Sequence, residues 1–159
     1  MMTPQQSAPH FASPSGPERN PPPAEEARRT EGQQDAPRVL IVEDDFLIAM
    51  QTEIALTAAG FEVIGPATTA EEAVAMAGEM QPTLAVMDIR LASTRDGIDA
   101  ARQLYQDFAI RCVFATAHDD AHTRGRAAPY APLGWLPKPY TMASLVAVVA
   151  EAVAGLRRP

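Results

Sequence analysis

Arg38-Val39-Leu40-Ile41-Val42-Glu43-Asp44-Asp45 is the stretch on which the fold turns. An unbroken apolar run this short reads as a strand buried on both faces, and it stops at an acidic loop. Leu47, Met50, Ile54 and Ala58 then recur at helical spacing, and Gly60 closes that helix as a C-terminal cap. Phe61 to Ala67 reads as a second strand. Thr69 to Glu72 has the form of a capping box opening a helix to about Met80. Leu84-Ala85-Val86-Met87 is a third apolar run, ending at Asp88. Asp96-Gly97 starts a helix with Ile98, Ala101 and Leu104 on one face. Cys112 to Ala115 makes a fourth strand ending at Thr116, and Leu133 to Leu136 a short fifth ending before Lys138. Thr141 caps a last helix with Leu145, Val148, Ala152 and Leu156 inward. Between Thr116 and Leu133 a fourth helix fits at about Asp119 to Ala127; Gly125, Pro129 and Pro132 keep it short or irregular.

Strands alternating with helices predict an α/β fold, a five-stranded parallel sheet with helices on both faces and right-handed crossovers. Ligands of such doubly wound sheets sit beyond the carboxyl ends of the strands. The residues there carry the chemistry: Glu43 and Asp44 after the first strand, Asp88 after the third, Thr116 after the fourth and Lys138 after the fifth. Each alone reads as a loop residue or a helix cap; their joint occurrence is the signal. Packed carboxylates repel, and a hard divalent cation such as Mg²⁺ resolves the repulsion while accepting phosphate oxygens. A carboxylate oxygen can also attack phosphorus, with a metal and an ammonium neutralising the transferring group. Of 13 basic residues, Lys138 is the only lysine, which fits a need for a compact ammonium.

The chain of 159 residues suits one folded domain, and 47% apolar residues supply a core. A net charge of -7 argues against a nucleic-acid partner. No apolar stretch is long enough for membrane insertion. No apolar signal-peptide core is visible near Met1, so a cytoplasmic location is expected. Residues 1–37 hold eight of the 15 prolines and read as a disordered Pro-rich tail; the folded domain is expected over 38–159. The single cysteine, Cys112, excludes an internal disulfide and reads as a buried small hydrophobe. His118 and His122 are spaced for a helical metal pair but lack an evident third ligand; they read as surface residues, and His10 lies in the tail.

Four motifs, Val-Leu-Ile-Val-Glu-Asp-Asp, Met-Asp-Ile-Arg-Leu, Phe-Ala-Thr-Ala and Pro-Lys-Pro-Tyr, follow one another over about residues 38–156. In that order they resemble the receiver domain of two-component response regulators. The resemblance implies a flavodoxin-like sheet of order 2-1-3-4-5. It implies Asp88 as phospho-acceptor and Glu43, Asp44, Asp88 and the backbone carbonyl of Arg90 as the Mg²⁺ site, with Asp44 the more direct ligand. Thr116 matches the switch hydroxyl, Lys138 the phosphate-binding lysine, and Ala117 a small position beside the phosphate. The Lys138-Pro139 bond is a candidate cis bond. Arg90 is bulkier and more basic than many residues at its position, and is expected to affect the lifetime of the phosphoryl group. Trp135 stands where the family usually has a rotating Tyr, Phe or His, and reads equally as a fixed core indole. Phe114-Ala115-Thr116 resembles the motif of a single-domain subgroup.

The implied function is that of a stand-alone response regulator. It takes a phosphoryl group from a phosphohistidine on a histidine kinase or phosphotransfer protein, then signals by protein binding or onward transfer. Its only chemistry would be self-phosphorylation and self-dephosphorylation. Three other readings remain. A pseudo-receiver binding without phosphorylation would lack acidic or lysine positions that are all present here. An aspartyl-nucleophile phosphatase of the haloacid-dehalogenase type would carry its Asp-x-Asp after the first strand. A scaffold built around the tail would need that tail to bind by itself.

Overall fold

The computed structural model describes residues 35–159. The expected tail thus lies almost wholly outside the described residues. Pro37 at its end is already tied in, since its carbonyl accepts from the Glu62 N–H at 3.0 Å.

Five strands, β1 (Arg38–Val42), β2 (Glu62–Ala67), β3 (Leu84–Asp88), β4 (Cys112–Thr116) and β5 (Gly134–Pro137), form one sheet. All pairings are parallel and the order is β2-β1-β3-β4-β5. Four helices connect them, α1 (Phe46–Ala58), α2 (Ala70–Met80), α3 (Gly97–Phe108) and α4 (Ala121–Ala127, continued by a 3₁₀ turn Ala128–Tyr130), and a fifth, α5 (Met142–Leu156), follows β5. The fold class, the sheet order and the short fourth helix agree with the sequence reading, and strand ends differ from it by a residue.

Alternation along the buried strands builds two cores. Leu40 and Val42 of β1, with Ala85, Met87 and Phe114, face α2 and α3. Val39, Ile41, Val86 and Val113 face the other way, against Leu56 of α1 and Leu145 and Val149 of α5. A strand packed on both faces needs apolar residues at every position, and β3 and β4 are buried throughout.

Local chemistry sets the helix ends. Gly60 at φ 93° follows α1; its N–H reaches the Thr57 carbonyl and the Phe61 N–H reaches that of Leu56, a Schellman closure. Asp96 caps α3 in a reciprocal capping box with Asp99. At α2 the box is displaced by one residue: Glu72 N–H donates to Thr69 Oγ1, but its carboxylate takes Thr68 N–H and Oγ1 instead.

Two corrections concern faces and bonds. In α1 the buried residues are Ala49, Thr52 and Leu56. The apolar residues singled out by spacing mostly face outward, with Leu47 and Ile54 each 62% exposed and Phe46 beside them 74%. Apolar side chains surround this helix, so their spacing does not define its inner face. In α5, Val149 and Val153 are buried with Leu145 and Ala152, while Val148 and Leu156 sit at the core's edge. Lys138-Pro139 is cis, and so is Gly65-Pro66, which the sequence reading had not singled out. Gly65 has φ 104° and lies against the Ile41 carbonyl, where the β1–β2 register slips. Pairing resumes beyond it, and Glu43 N–H bonds the Ala67 carbonyl at 2.9 Å.

Candidate functional site

The carboxyl ends of β1, β3, β4 and β5 lie side by side, so residues far apart in the chain meet. Glu43, Asp44 and Asp88 each offer a carboxylate oxygen within 4.8 Å of the others. Glu43 and Asp88 are buried, at 5% and 6% exposure, whereas Asp44 is exposed. Lys138 Nζ reaches Asp88 Oδ2 at 3.1 Å and Glu43 Oε2 at 3.8 Å. The Arg90 N–H donates to Asp88 Oδ1 at 3.1 Å, so the chain after β3 curls round that carboxylate; the Arg90 side chain is exposed.

Thr116, buried at the end of β4, is bonded within its own loop. Its hydroxyl donates to the His118 carbonyl at 3.1 Å and accepts the His118 N–H at 3.0 Å. Ala117 and His118 are exposed beside it. Among the described residues, His118 and His122 join no group of three metal-ligating side chains. Cys112 is buried in β4, which pushes its thiol up to about 12; it is inert at neutral pH.

Charge in the pocket is unbalanced. Burial, against the Asp45 N–H that donates to it, pushes Glu43 up to about 7, and the Asp88 charge adds to the rise. Burial by itself would lower Lys138, but the Asp88 and Glu43 carboxylates outweigh it and hold the ammonium above its usual range. One ammonium thus faces three carboxyl groups. The donor set is all oxygen and crowded, which fits a small hard divalent cation such as Mg²⁺.

Two clefts flank the cluster. One of about 410 Å³ runs between α1 and the β5–α5 loop, past Ile48, Lys138, Pro139 and Tyr140. The other, about 500 Å³, is lined by Arg90, Asp96, Thr116, His118 and Arg126. Trp135 on β5 is stacked on Phe114 with ring centroids 5.1 Å apart and covered by the Arg124 guanidinium at 4.8 Å. Arg124 also donates to both carboxylate oxygens of Asp119 through Nε and Nη2.

Sequence reading missed two contributors. Gly97 packs on the Asp88 carbonyl with no room for a side chain, and Arg126 pairs with Asp96 at 2.8 Å. The Asp96-Gly97 dipeptide marked a helix start, but nothing local revealed what that start abuts.

Comparison with known proteins agrees with this architecture. The sequence profile of the "Response regulator receiver domain" matches residues 39–150. The chain is 36% identical to the phyllosphere-induced regulator PhyR of Methylorubrum extorquens, over 81% of its own length and 48% of that protein's. It is 34% identical to the transcriptional regulatory protein PdtaR of Mycobacterium tuberculosis, over 76% of the chain and 58% of the relative. The chain therefore spans about half the length of the curated relatives it matches. Among solved structures, the signal receiver domain of a modulated diguanylate cyclase from Desulfovibrio desulfuricans superposes with a TM-score of 0.70 at 34% identity, covering 77% of this chain and 98% of that one. A CheY-like receiver domain protein from Methanospirillum hungatei gives 0.72 at 23% identity, covering 77% and 97%, and shows the shared fold. Among the described residues, no helix is long and apolar enough to cross a membrane. Residues 39–150 thus place the chain in the response regulator receiver domain family of two-component signalling.

Proposed function

We propose that Asp88 is the phospho-acceptor of this receiver, taking its phosphoryl group from a phosphohistidine on a partner kinase or phosphotransfer protein. One observation supports the reading: the buried carboxylate closing β3 has a lysine ammonium 3.1 Å away and clusters with two further carboxylates, one of them exposed. An Asp88 oxygen attacks phosphorus in line, and the phosphorus–nitrogen bond to the donor imidazole breaks. The bond pair stays on the imidazole nitrogen, which then takes a proton. The product is an acyl phosphate on Asp88.

Lys138 gives up part of its pairing with Asp88 to face the new phosphoryl oxygens. Glu43, Asp44, Asp88 and the Arg90 carbonyl would hold Mg²⁺, which when bound supplies charge neutralisation for those oxygens. Thr116 reaches the phosphoryl group by exchanging its bond to the His118 carbonyl for one to a phosphoryl oxygen. That exchange releases the β4–α4 loop, and the shifted population of this loop and of β5 presents the output surface to a downstream protein. The exposed apolar residues Phe46, Leu47 and Ile54 lie on α1, the helix that follows the Glu43-Asp44 loop, and would meet the phosphodonor partner.

Incubation with Mg²⁺ and phosphoramidate, read by intact mass, tests the assignment. One added phosphoryl group is expected in the wild type and none in Asp88→Asn. Phosphorylation of the Asn variant, or none in the wild type, overturns it.

A further inference from the structure

Gly97, the first residue of α3, touches the peptide that carries Asp88. A side-chain carbon built on it would lie 2.0 Å from the Asp88 carbonyl oxygen and 2.9 Å from Ile89 Cα. Its N–H donates to the Ile89 carbonyl at 2.8 Å. The first turn of α3 is therefore the backstop of the acceptor's backbone, and a shift of that turn moves Asp88.

Asp96 fastens this turn. Its Oδ1 accepts the Asp99 N–H at 2.9 Å, and Asp99 Oδ2 accepts the Asp96 N–H at 3.3 Å. Asp96 Oδ2 takes Arg126 Nη1 at 2.8 Å. Arg126 comes from the last turn of α4, a helix of seven residues with Ala127 as its buried residue. A continuous series of contacts thus runs from the Asp88 carbonyl through Gly97 and Asp96 to α4. Two residues before Arg126, Arg124 covers Trp135 on β5, so α4 contacts both the α3 cap and the last strand.

We propose that Arg126 is a positioning residue for phosphoryl transfer at Asp88: its ion pair with Asp96 seats the first turn of α3 against the acceptor's backbone and so sets where the carboxylate points. The inference rests on Asp88 being the acceptor. Arg126 lines the cleft beside Thr116, but its guanidinium is committed to Asp96 and acts through it. Small displacements of a reacting group cost rate steeply. The pair itself is partly exposed, at 39% and 31%, so its loss should hardly change global stability.

Asp96→Asn keeps the capping oxygen and removes the charge; Arg126→Ala removes the other partner. Phosphorylation of the full chain by phosphoramidate with Mg²⁺ is followed by intact mass, beside thermal unfolding. Each single variant is expected to lose roughly three- to tenfold in the maximal rate, at an unchanged half-saturating donor concentration and melting temperature. The double variant should lose no more than either single one, and Arg126→Lys should recover most of the rate. Wild-type rates in either single variant, additive losses, or losses that follow the melting temperature overturn the proposal. So does a weakened donor dependence in Arg126→Ala without any effect of Asp96→Asn, since Arg126 would then touch the donor itself. A wild type that gains no phosphoryl group refutes instead the assignment of Asp88.

Discussion

Replacing Glu43 with Gln removes one of three crowded charges while keeping an oxygen for the Asp45 N–H. In the folded chain burial holds the Glu43 carboxyl near 7, against 4.5 for a free side chain. Within that window the folded protein keeps a proton that the unfolded chain has lost. The stability that Glu43 contributes is therefore complete below about pH 4.5 and disappears as pH rises through about 7. The span is roughly 2.5 pH units, and at about 1.4 kcal/mol per unit the ionised side chain costs at most roughly 3 kcal/mol. Lys138, 3.8 Å away, relaxes with it, so about 1–3 kcal/mol is the expected gain for Glu43→Gln in chelator-treated protein near pH 8, and close to nothing near pH 4.5. Urea unfolding at both pH values measures it. Magnesium should reverse the order, because it stabilises the folded state that binds it, by about 2.7 kcal/mol at a hundredfold excess over its dissociation constant. Equal stability differences at the two pH values, or equal stabilisation of both proteins by Mg²⁺, would refute the reasoning.

The other predictions rest on packing and exposure. Gly97→Ala forces a methyl group to within 2.0 Å of the Asp88 carbonyl, so urea unfolding should show a loss of about 1–3 kcal/mol, and phosphoramidate should label the folded variant more slowly than wild type. Phe46→Ser with Ile54→Ser replaces residues 74% and 62% exposed. Stability and labelling by phosphoramidate should stay near wild type, while transfer from a phosphorylated partner protein slows; equal slowing with both donors would show that α1 supports the pocket rather than the partner.

Much of the fold was legible along the chain because a parallel sheet leaves a local mark. Val39 to Val42 and Leu84 to Met87 are apolar at every position because both faces of their strands are covered. Asp96, Thr141 and Gly60 mark helix ends through bonds to residues three or four places away. Glu43, Asp88, Thr116 and Lys138 group together on sequence alone because each closes or follows a strand, and strand ends of a doubly wound sheet converge.

Contacts between distant elements left no such mark. The inner face of α1 is Ala49, Thr52 and Leu56, and it stayed hidden because the helix is apolar all round. Only the sheet and α5 choose which side is covered. Gly97 looks like any helix-opening glycine until α3 is laid against β3, and Arg126 like any surface arginine until α4 brings it to Asp96. Hydrophobic periodicity and capping act over a few residues, so they are written in consecutive positions. The fit of one element against another depends on sheet order and register, which emerge only when the chain folds back on itself.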